Sequence, residues 1–174
     1  MRRFSLVLCF VATALSAQQP DTARKDSSRT DSSPPTPAQE RYLDGLRTVG
    51  RGIAQLKDGI DRVVRAYNVK DSVKLAQAGR RLGGLCGTAR AFMSPGRTQM
   101  SATAYDDSVR THAKKLALQI DSVIGYMPTC QHTAFRTPTK TAADVLGLIR
   151  SYENALRIFR TDIGLNRPPA PPAQ

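Results

Sequence analysis

Two cysteines carry the most distinctive chemistry of this 174-residue chain. Cys86 lies among glycines in the stretch RRLGGLCGTARAF, and Cys130 opens the tripeptide CQH. Such thiols can form a redox pair, bind a metal together with a histidine, or join in a disulfide. A Cys86–Cys130 bond would close a loop of about 45 residues, and the chain-entropy model gives it about 4 kcal/mol of stabilisation. The compartment decides among these uses.

The N-terminus has the layout of a secretory signal peptide. MRR supplies positive charge, FSLVLCFVATAL is an apolar run, and SAQQPD contains small residues followed by polar chain. The apolar run is shorter than the roughly 20 residues that a membrane span needs. We therefore expect residues 1–17 to be cleaved near Ala17. The mature protein would then be secreted to the periplasm or the extracellular space, with no membrane span.

Cleavage would remove Cys9 and leave Cys86 and Cys130 as an even pair in an oxidising compartment. There, two cysteines form a disulfide by default. The sequence therefore predicts a Cys86–Cys130 disulfide, with metal binding and redox chemistry as the alternatives.

Ligands for a metal or a haem are few. Cys86, His112, Cys130 and His132 show no zinc-site spacing. Haem could use His112 with a methionine, although no CxxCH attachment motif is present and helical methionines usually fill a core. We predict no cofactor and no metal site, and keep a carrier or sensor of haem, metal or another small ligand in the helical interior as the alternative function. The methionines concerned are Met93, Met100 and Met127.

Ser108 and His112, four residues apart on a helix, could form a nucleophile and its base. A histidine beside Asp106 and Asp107 equally suits a solvated helix start, where aspartates complement the helix dipole. No oxyanion hole or orienting carboxylate stands at a known spacing. We predict a protein without catalytic activity.

The chain is strongly basic, with 26 Lys and Arg residues against 14 Asp and Glu residues and a formal charge of +12. The excess is largest between residues 70 and 97. A basic helix face attracts anionic lipid headgroups, polyanionic polysaccharide or an acidic protein. Nucleic acid is not expected, because the protein is predicted to be exported and no aromatic residues alternate with the cations to stack bases. The predicted binding residues are Lys70, Lys74, Arg80, Arg81, Arg90 and Arg97.

Apolar periodicity predicts four helices. From Tyr42 to Tyr67 apolar residues recur in alternating steps of four and three, a heptad pattern typical of coiled coils, and three later segments repeat this spacing. The predicted core stripe of the second helix comprises Leu75, Ala78, Leu82, Leu85, Ala89 and Phe92. A capping box at Thr36 marks the first start, and Gly164 marks the last stop. We predict an all-α four-helix bundle. Its helices cover about residues 37–67, 71–93, 103–127 and 139–163.

The remaining segments are polar or rich in proline. Residues 18–36 are rich in Ser, Thr, Pro and Asp and have no large apolar residue, which predicts a disordered linker. Residues 37–165 form the bundle domain. Residues 166–174, NRPPAPPAQ, form a Pro-rich tail.

The predicted disulfide conflicts with the simplest bundle. If SPG at residues 94–96 ends helix two and Pro128 ends helix three, Cys130 lies about 20 Å from the level of Cys86 in an up-down arrangement. Bonded cysteines have Cα atoms only about 6 Å apart. A crossover through residues 94–102 that makes the two helices parallel would remove the conflict, as would a break at Gly83. An intermolecular bond is the third option.

The sequence thus predicts an exported, non-catalytic helical-bundle protein with an interaction or structural role at the cell envelope. The basic face of helix two is the candidate surface. The oligomeric state stays open.

Overall fold

A computed structural model describes residues 34–165, and this part of the chain is helical without a strand. The predicted signal peptide, the Pro-rich tail and nearly all of the predicted linker lie outside these residues. The prediction of an all-α four-helix bundle is confirmed. The helices are α1 (Pro37–Asn68), α2 (Ser72–Thr98), α3 (Asp107–Thr133) and α4 (Pro138–Asp162), and a 3₁₀ turn (Ala102–Ala104) precedes α3.

Local signals fix several helix ends where the sequence predicted them. The Thr36 hydroxyl accepts a hydrogen bond from the Gln39 N–H, and the Gln39 side chain accepts one from the Thr36 N–H, which completes a capping box. Asp71 caps α2. At the end of α4, Gly164 has a φ of 77°, and the Leu165 N–H donates to the carbonyl of Arg160 over 2.9 Å in a Schellman motif.

Three predicted boundaries are wrong. α2 continues through Pro95 to Thr98, and α3 continues through Pro128 to Thr133. A proline inside a helix loses one backbone hydrogen bond. Here the residues beyond each proline make tertiary contacts, described below, that offset this loss. The predicted start of helix three at residue 103 is too early, because Asp106 is the residue that caps α3.

Each helix runs antiparallel to the next. Gly45 of α1 lies against Gly96 of α2, whereas Gly59 lies against Leu82, so the residue numbers fall along α2 as they rise along α1. The same reversal relates α3 to α2 and α4 to α1. In the α2–α3 pair, Arg97 at the end of α2 forms an ion pair of 2.9 Å with Asp121, whereas Gly79 near the start of α2 lies against Ala134, which follows α3. The bundle therefore has an up-down-up-down topology.

The connection between α2 and α3 travels along the bundle instead of turning tightly. Arg97, at the end of α2, pairs with Asp121, which lies fourteen residues inside α3, or about 21 Å from its start. The connecting segment takes the place of α2 over this distance. Its Tyr105 packs against Tyr42 of α1 and Phe159 of α4, with ring centroids 5.1 and 5.3 Å away.

Most of the predicted apolar positions are buried in the core, but the buried face of α2 is rotated relative to its predicted stripe. Every predicted stripe position of α1 is buried except Tyr67, which is 61% exposed. In α2, Cys86 and Met93 are fully buried, while the predicted core residue Phe92 is 43% exposed. α2 packs on both α1 and α3, so its buried face is turned toward α3 relative to the predicted stripe.

Candidate functional site

Cys86 and Cys130 form a disulfide with an S–S distance of 2.01 Å, and their Cα atoms lie 6.1 Å apart. Both residues are fully buried in the core. The predicted disulfide is therefore present within the chain, and neither sulfur is a free thiol.

Neither predicted way of bringing the cysteines together applies. α2 is unbroken at Gly83, and α2 and α3 are antiparallel, with no crossover. The long connection shifts α3 along the axis, so Arg97 is level with Asp121. Counting from that pair toward the other end of the bundle brings Cys86 and Cys130 to the same level. Because α3 extends past Pro128, Cys130 lies inside the helix and not beyond it.

Two of the glycines of α2 form the surface that receives the end of α3. A Cβ on Gly79 would lie 2.4 Å from the carbonyl oxygen of Ala134, and one on Gly83 would lie 3.1 Å from that of Gln131. Real Cβ atoms do not approach within the first of these distances, so the backbones can meet only because side chains are absent there. The glycines therefore allow the close packing that surrounds the disulfide.

The residues considered for catalysis are held in other contacts. Ser108 donates a hydrogen bond to Asp106 over 3.1 Å, while the His112 ring bonds through Nδ1 to Asp162 at the end of α4. The structure gives no contact between Ser108 and His112. The His112–Asp162 pair instead joins the start of α3 to the end of α4.

The residues considered as metal or haem ligands lie in separate surroundings. His132 is exposed near the end of α3, whereas Met93 and Met127 are fully buried in the core. Among residues 34–165, no three His, Cys, Asp or Glu side chains are grouped as metal ligands would be. The carrier alternative stays a prediction.

The structure distributes the six predicted binding residues over different surfaces. Lys74 and Arg81 lie on the side of α2 that faces α1. Arg97 lies on the opposite side, where it pairs with Asp121 of α3. Arg90 is seven residues before Arg97 and seven after Gly83, so it shares that α3-facing side. Lys70 occupies the turn between α1 and α2 with a φ of 55°, and Arg80 is exposed.

Two of the six predicted binding residues, Lys74 and Arg81, lie beside cations of α1 that are not among the six. A cleft of about 510 Å³ lies between the end of α1 and the start of α2. Arg62 and Arg65 of α1 line it together with Lys74 and Arg81 of α2, and we call this site the basic cleft. The alternation of basic residues beside the buried stripe of α1, with a turn of only a few residues before α2, was the signal that could have revealed it.

Among residues 34–165, the cations of the basic cleft outnumber the carboxylates that pair with them. Arg62 bonds to Asp58 over 2.8 Å, and Lys74 lies 3.3 Å from Asp71. The hydrogen bond from Arg62 lowers the pKa of the Asp58 carboxyl, and the charges of Arg81 and Arg65 lower it further. Within residues 34–165, neither of the latter two arginines forms an ion pair.

No helix between residues 34 and 165 has the length and apolar character to cross a membrane. Comparison with protein-family models, with curated proteins and with solved structures finds no match to this chain. What the basic cleft does must therefore be inferred from its own chemistry.

Proposed function

We propose that this chain is an exported, non-catalytic helical-bundle protein with an interaction or structural role at the cell envelope, where the basic cleft binds an anionic component. One observation carries the proposal. Four cationic side chains from two helices surround one cleft, and two of them, Arg65 and Arg81, have no ion-pair partner among the described residues. The partner classes are an anionic lipid headgroup, a polyanionic polysaccharide and an acidic protein.

The arrangement favours phosphate, sulfate or carboxylate groups. A guanidinium presents a planar fork of N–H donors that matches such oxyanions in a bidentate manner. Three of the four cleft cations are arginines, and each stands on a regular helix, so their backbones are already in place before a ligand arrives. The small side chains of Ala66 and Ala78 also line the cleft and leave room for an anionic group.

Two features support export. The N-terminal residues have the order of charge, apolar run and small residues that signal peptides share. The buried Cys86–Cys130 disulfide fits a protein that folds in an oxidising compartment. Both features also agree with an envelope location.

Paired charge-reversal variants test the cleft. Arg65→Glu/Arg81→Glu and Arg80→Glu/Arg90→Glu change the net charge equally, but only the first changes the basic cleft. Each protein is bound to immobilised dextran sulfate and eluted with a salt gradient, because salt screens exposed charges. We expect the cleft variant to elute at clearly lower salt than the control. Equal elution of both variants would show that only net charge matters and would overturn the proposal.

Export is tested by the intact mass of the protein expressed with its own N-terminus and recovered from the exported fraction. We expect a mass that lacks residues 1–17 and is two hydrogens lighter than the reduced chain. A mass that retains residues 1–17 would contradict the predicted cleavage.

A further inference from the structure

The connection between α1 and α2 exposes large apolar side chains beside the basic cleft. Tyr67, Val69 and Val73 are 61%, 64% and 65% exposed, and all three lie within one stretch of seven residues. Single exposed apolar residues are normal on protein surfaces, whereas grouped ones mark contact sites. We call residues 64–74, the end of α1 with the turn and the start of α2, the hairpin tip.

Cationic and apolar side chains are intermixed at the hairpin tip. Lys70 and Lys74 alternate with Val69 and Val73 along the chain, and Val69 itself lines the basic cleft together with Arg65. A ligand that fills the cleft is therefore in contact with an apolar side chain. The chemistry of the site combines anion binding with burial of apolar surface.

The hairpin tip also extends beyond its neighbours. Gly79 of α2 lies against Ala134, where α3 ends and the turn to α4 begins. From Gly79 back to Asp71, the cap of α2, eight residues cover about 12 Å. The start of α2 and the turn before it, with Val69, Lys70 and Val73, therefore extend beyond the level at which α3 ends. Tyr67 lies nearer the bundle, where it lines a hollow with Thr139 and Ala142 of α4.

We propose that the hairpin tip docks on the surface of an anionic lipid bilayer, with the cations on lipid phosphates and the apolar side chains at the headgroup boundary. This inference rests on the proposed function and selects one of its partner classes. A polysaccharide needs cations but offers no apolar phase for Tyr67, Val69 and Val73. A bilayer offers both, because interfacial binding combines buried apolar area with attraction to anionic lipid. Each cation close to such a surface raises the partition coefficient roughly fivefold.

Serine variants separate the apolar from the electrostatic contribution. Tyr67→Ser/Val73→Ser removes two exposed apolar side chains of the tip that do not line the basic cleft, and Phe92→Ser/Leu118→Ser removes two exposed apolar side chains elsewhere. The probe is a vesicle of equal parts phosphatidylglycerol and phosphatidylcholine, with pure phosphatidylcholine as the uncharged vesicle. Melting curves confirm that each variant is folded.

We expect the tip variant to bind anionic vesicles about tenfold or more weakly than the wild type, since two exposed apolar side chains that the bilayer would bury are lost. Its binding to dextran sulfate should be unchanged, and the control variant should bind vesicles like the wild type. Equal vesicle binding by the tip variant and the wild type would overturn the bilayer inference.

A tryptophan reporter locates the contact directly. The chain has no tryptophan, so Val73→Trp and Leu118→Trp each introduce a single one, at the tip and on α3. With anionic vesicles, we expect a blue shift and quenching by brominated acyl chains for the tip reporter and neither effect for the α3 reporter. A tip reporter that remains unquenched on bound vesicles contradicts insertion.

Different results would contradict the proposed function and the bilayer inference. If Arg65→Glu/Arg81→Glu elutes from dextran sulfate like its control, the proposed function is wrong. If the cleft variant behaves as expected but the tip variant and the tryptophan at residue 73 show no effect, only the bilayer inference is wrong.

Discussion

Gly45 and Gly96 bring the backbones of α1 and α2 into contact. A Cβ on Gly45 would lie 2.4 Å from the carbonyl oxygen of Gly96, and a Cβ on Gly96 would lie 2.8 Å from that of Gly45. Gly52 and Gly59 follow Gly45 at intervals of seven and also face α2. This row of small residues lets the two helices form the most extensive helix pair of the bundle.

Alanine at residue 45 should therefore destabilise the fold. Gly45→Ala places its methyl group against a backbone oxygen that cannot move away, and such overpacking costs about 1–3 kcal/mol. Gly50→Ala is the matched control, because no other atom of the described part of the chain lies within 4 Å of its Cβ position. In urea unfolding followed by circular dichroism, the control should gain up to about 1 kcal/mol from helix propensity. Equal free energies of unfolding for Gly45→Ala and Gly50→Ala would show that α1 and α2 can move apart at this point without loss of stability.

Loss of the disulfide should lower stability by about 4 kcal/mol, the chain-entropy value for a loop of this length. Cys86→Ala/Cys130→Ala and the reduced wild type should both show this decrease in the free energy of unfolding, since both lose the same crosslink. The alanine variant provides the control, because a reducing agent should not change its unfolding curve. An unchanged free energy of unfolding of the wild type after full reduction would contradict the prediction.

Removal of the buried hydroxyl groups of Tyr42 and Tyr105 should have different effects on the stability of the bundle. Tyr42 donates to the carbonyl of Ala113 over 3.1 Å, so Tyr42→Phe should cost about 1 kcal/mol. The Tyr105 hydroxyl is buried and has no hydrogen-bond partner among residues 34–165, so Tyr105→Phe should leave stability unchanged or raise it at neutral pH. A large loss for Tyr105→Phe in the same urea titration would contradict this.

Alkaline pH should weaken the bundle through its buried tyrosines. Burial raises the pKa of Tyr105 and Tyr152 to about 12, above the ordinary value of 10.0. Between these pH values the folded protein retains protons that the unfolded chain releases, so the free energy of unfolding falls as pH rises from 10 to 12. Tyr152→Phe should reduce this loss relative to the wild type when both are unfolded in urea at pH 10 and pH 12. Identical pH profiles of Tyr152→Phe and the wild type would contradict the prediction.

Arg97 should contribute to the stability of the fold and not to anion binding. Its side chain is partly buried, pairs with Asp121 and donates to the carbonyl of Met100, so Arg97→Ala should cost about 1–2 kcal/mol. Arg90→Ala removes an exposed arginine on the same side of α2 and should be nearly neutral. Thermal melts of the two variants make the comparison. A stable Arg97→Ala variant with weakened dextran sulfate binding would return Arg97 to the predicted binding set.

Local sequence signals determined which elements form. Apolar residues at heptad spacing, the capping box at Thr36 and the positive-φ stop at Gly164 all act within a few residues, so they could be recognised along the chain. The pairing of Cys86 with Cys130 followed from there being only two cysteines outside the predicted signal peptide. These signals need no knowledge of neighbouring helices.

The tertiary structure decided where the helices end and which residues meet. Pro95 and Pro128 carry a local preference to end a helix, but the contacts of Gly96 with α1 and the bond of Cys130 to Cys86 hold the following turn helical. Such contacts come from residues far apart in the chain, so no local pattern reveals them.

The basic cleft likewise depends partly on the local sequence and partly on the packing between helices. Lys74 and Arg81 were visible as basic residues, but their meeting with Arg62 and Arg65 depends on how α1 and α2 are aligned along their axes. That alignment is fixed by glycine contacts spread along both helices, where backbones approach only at matching small residues. The sequence alone therefore determined the helices and their charges, and packing between the helices decided which charges share a site.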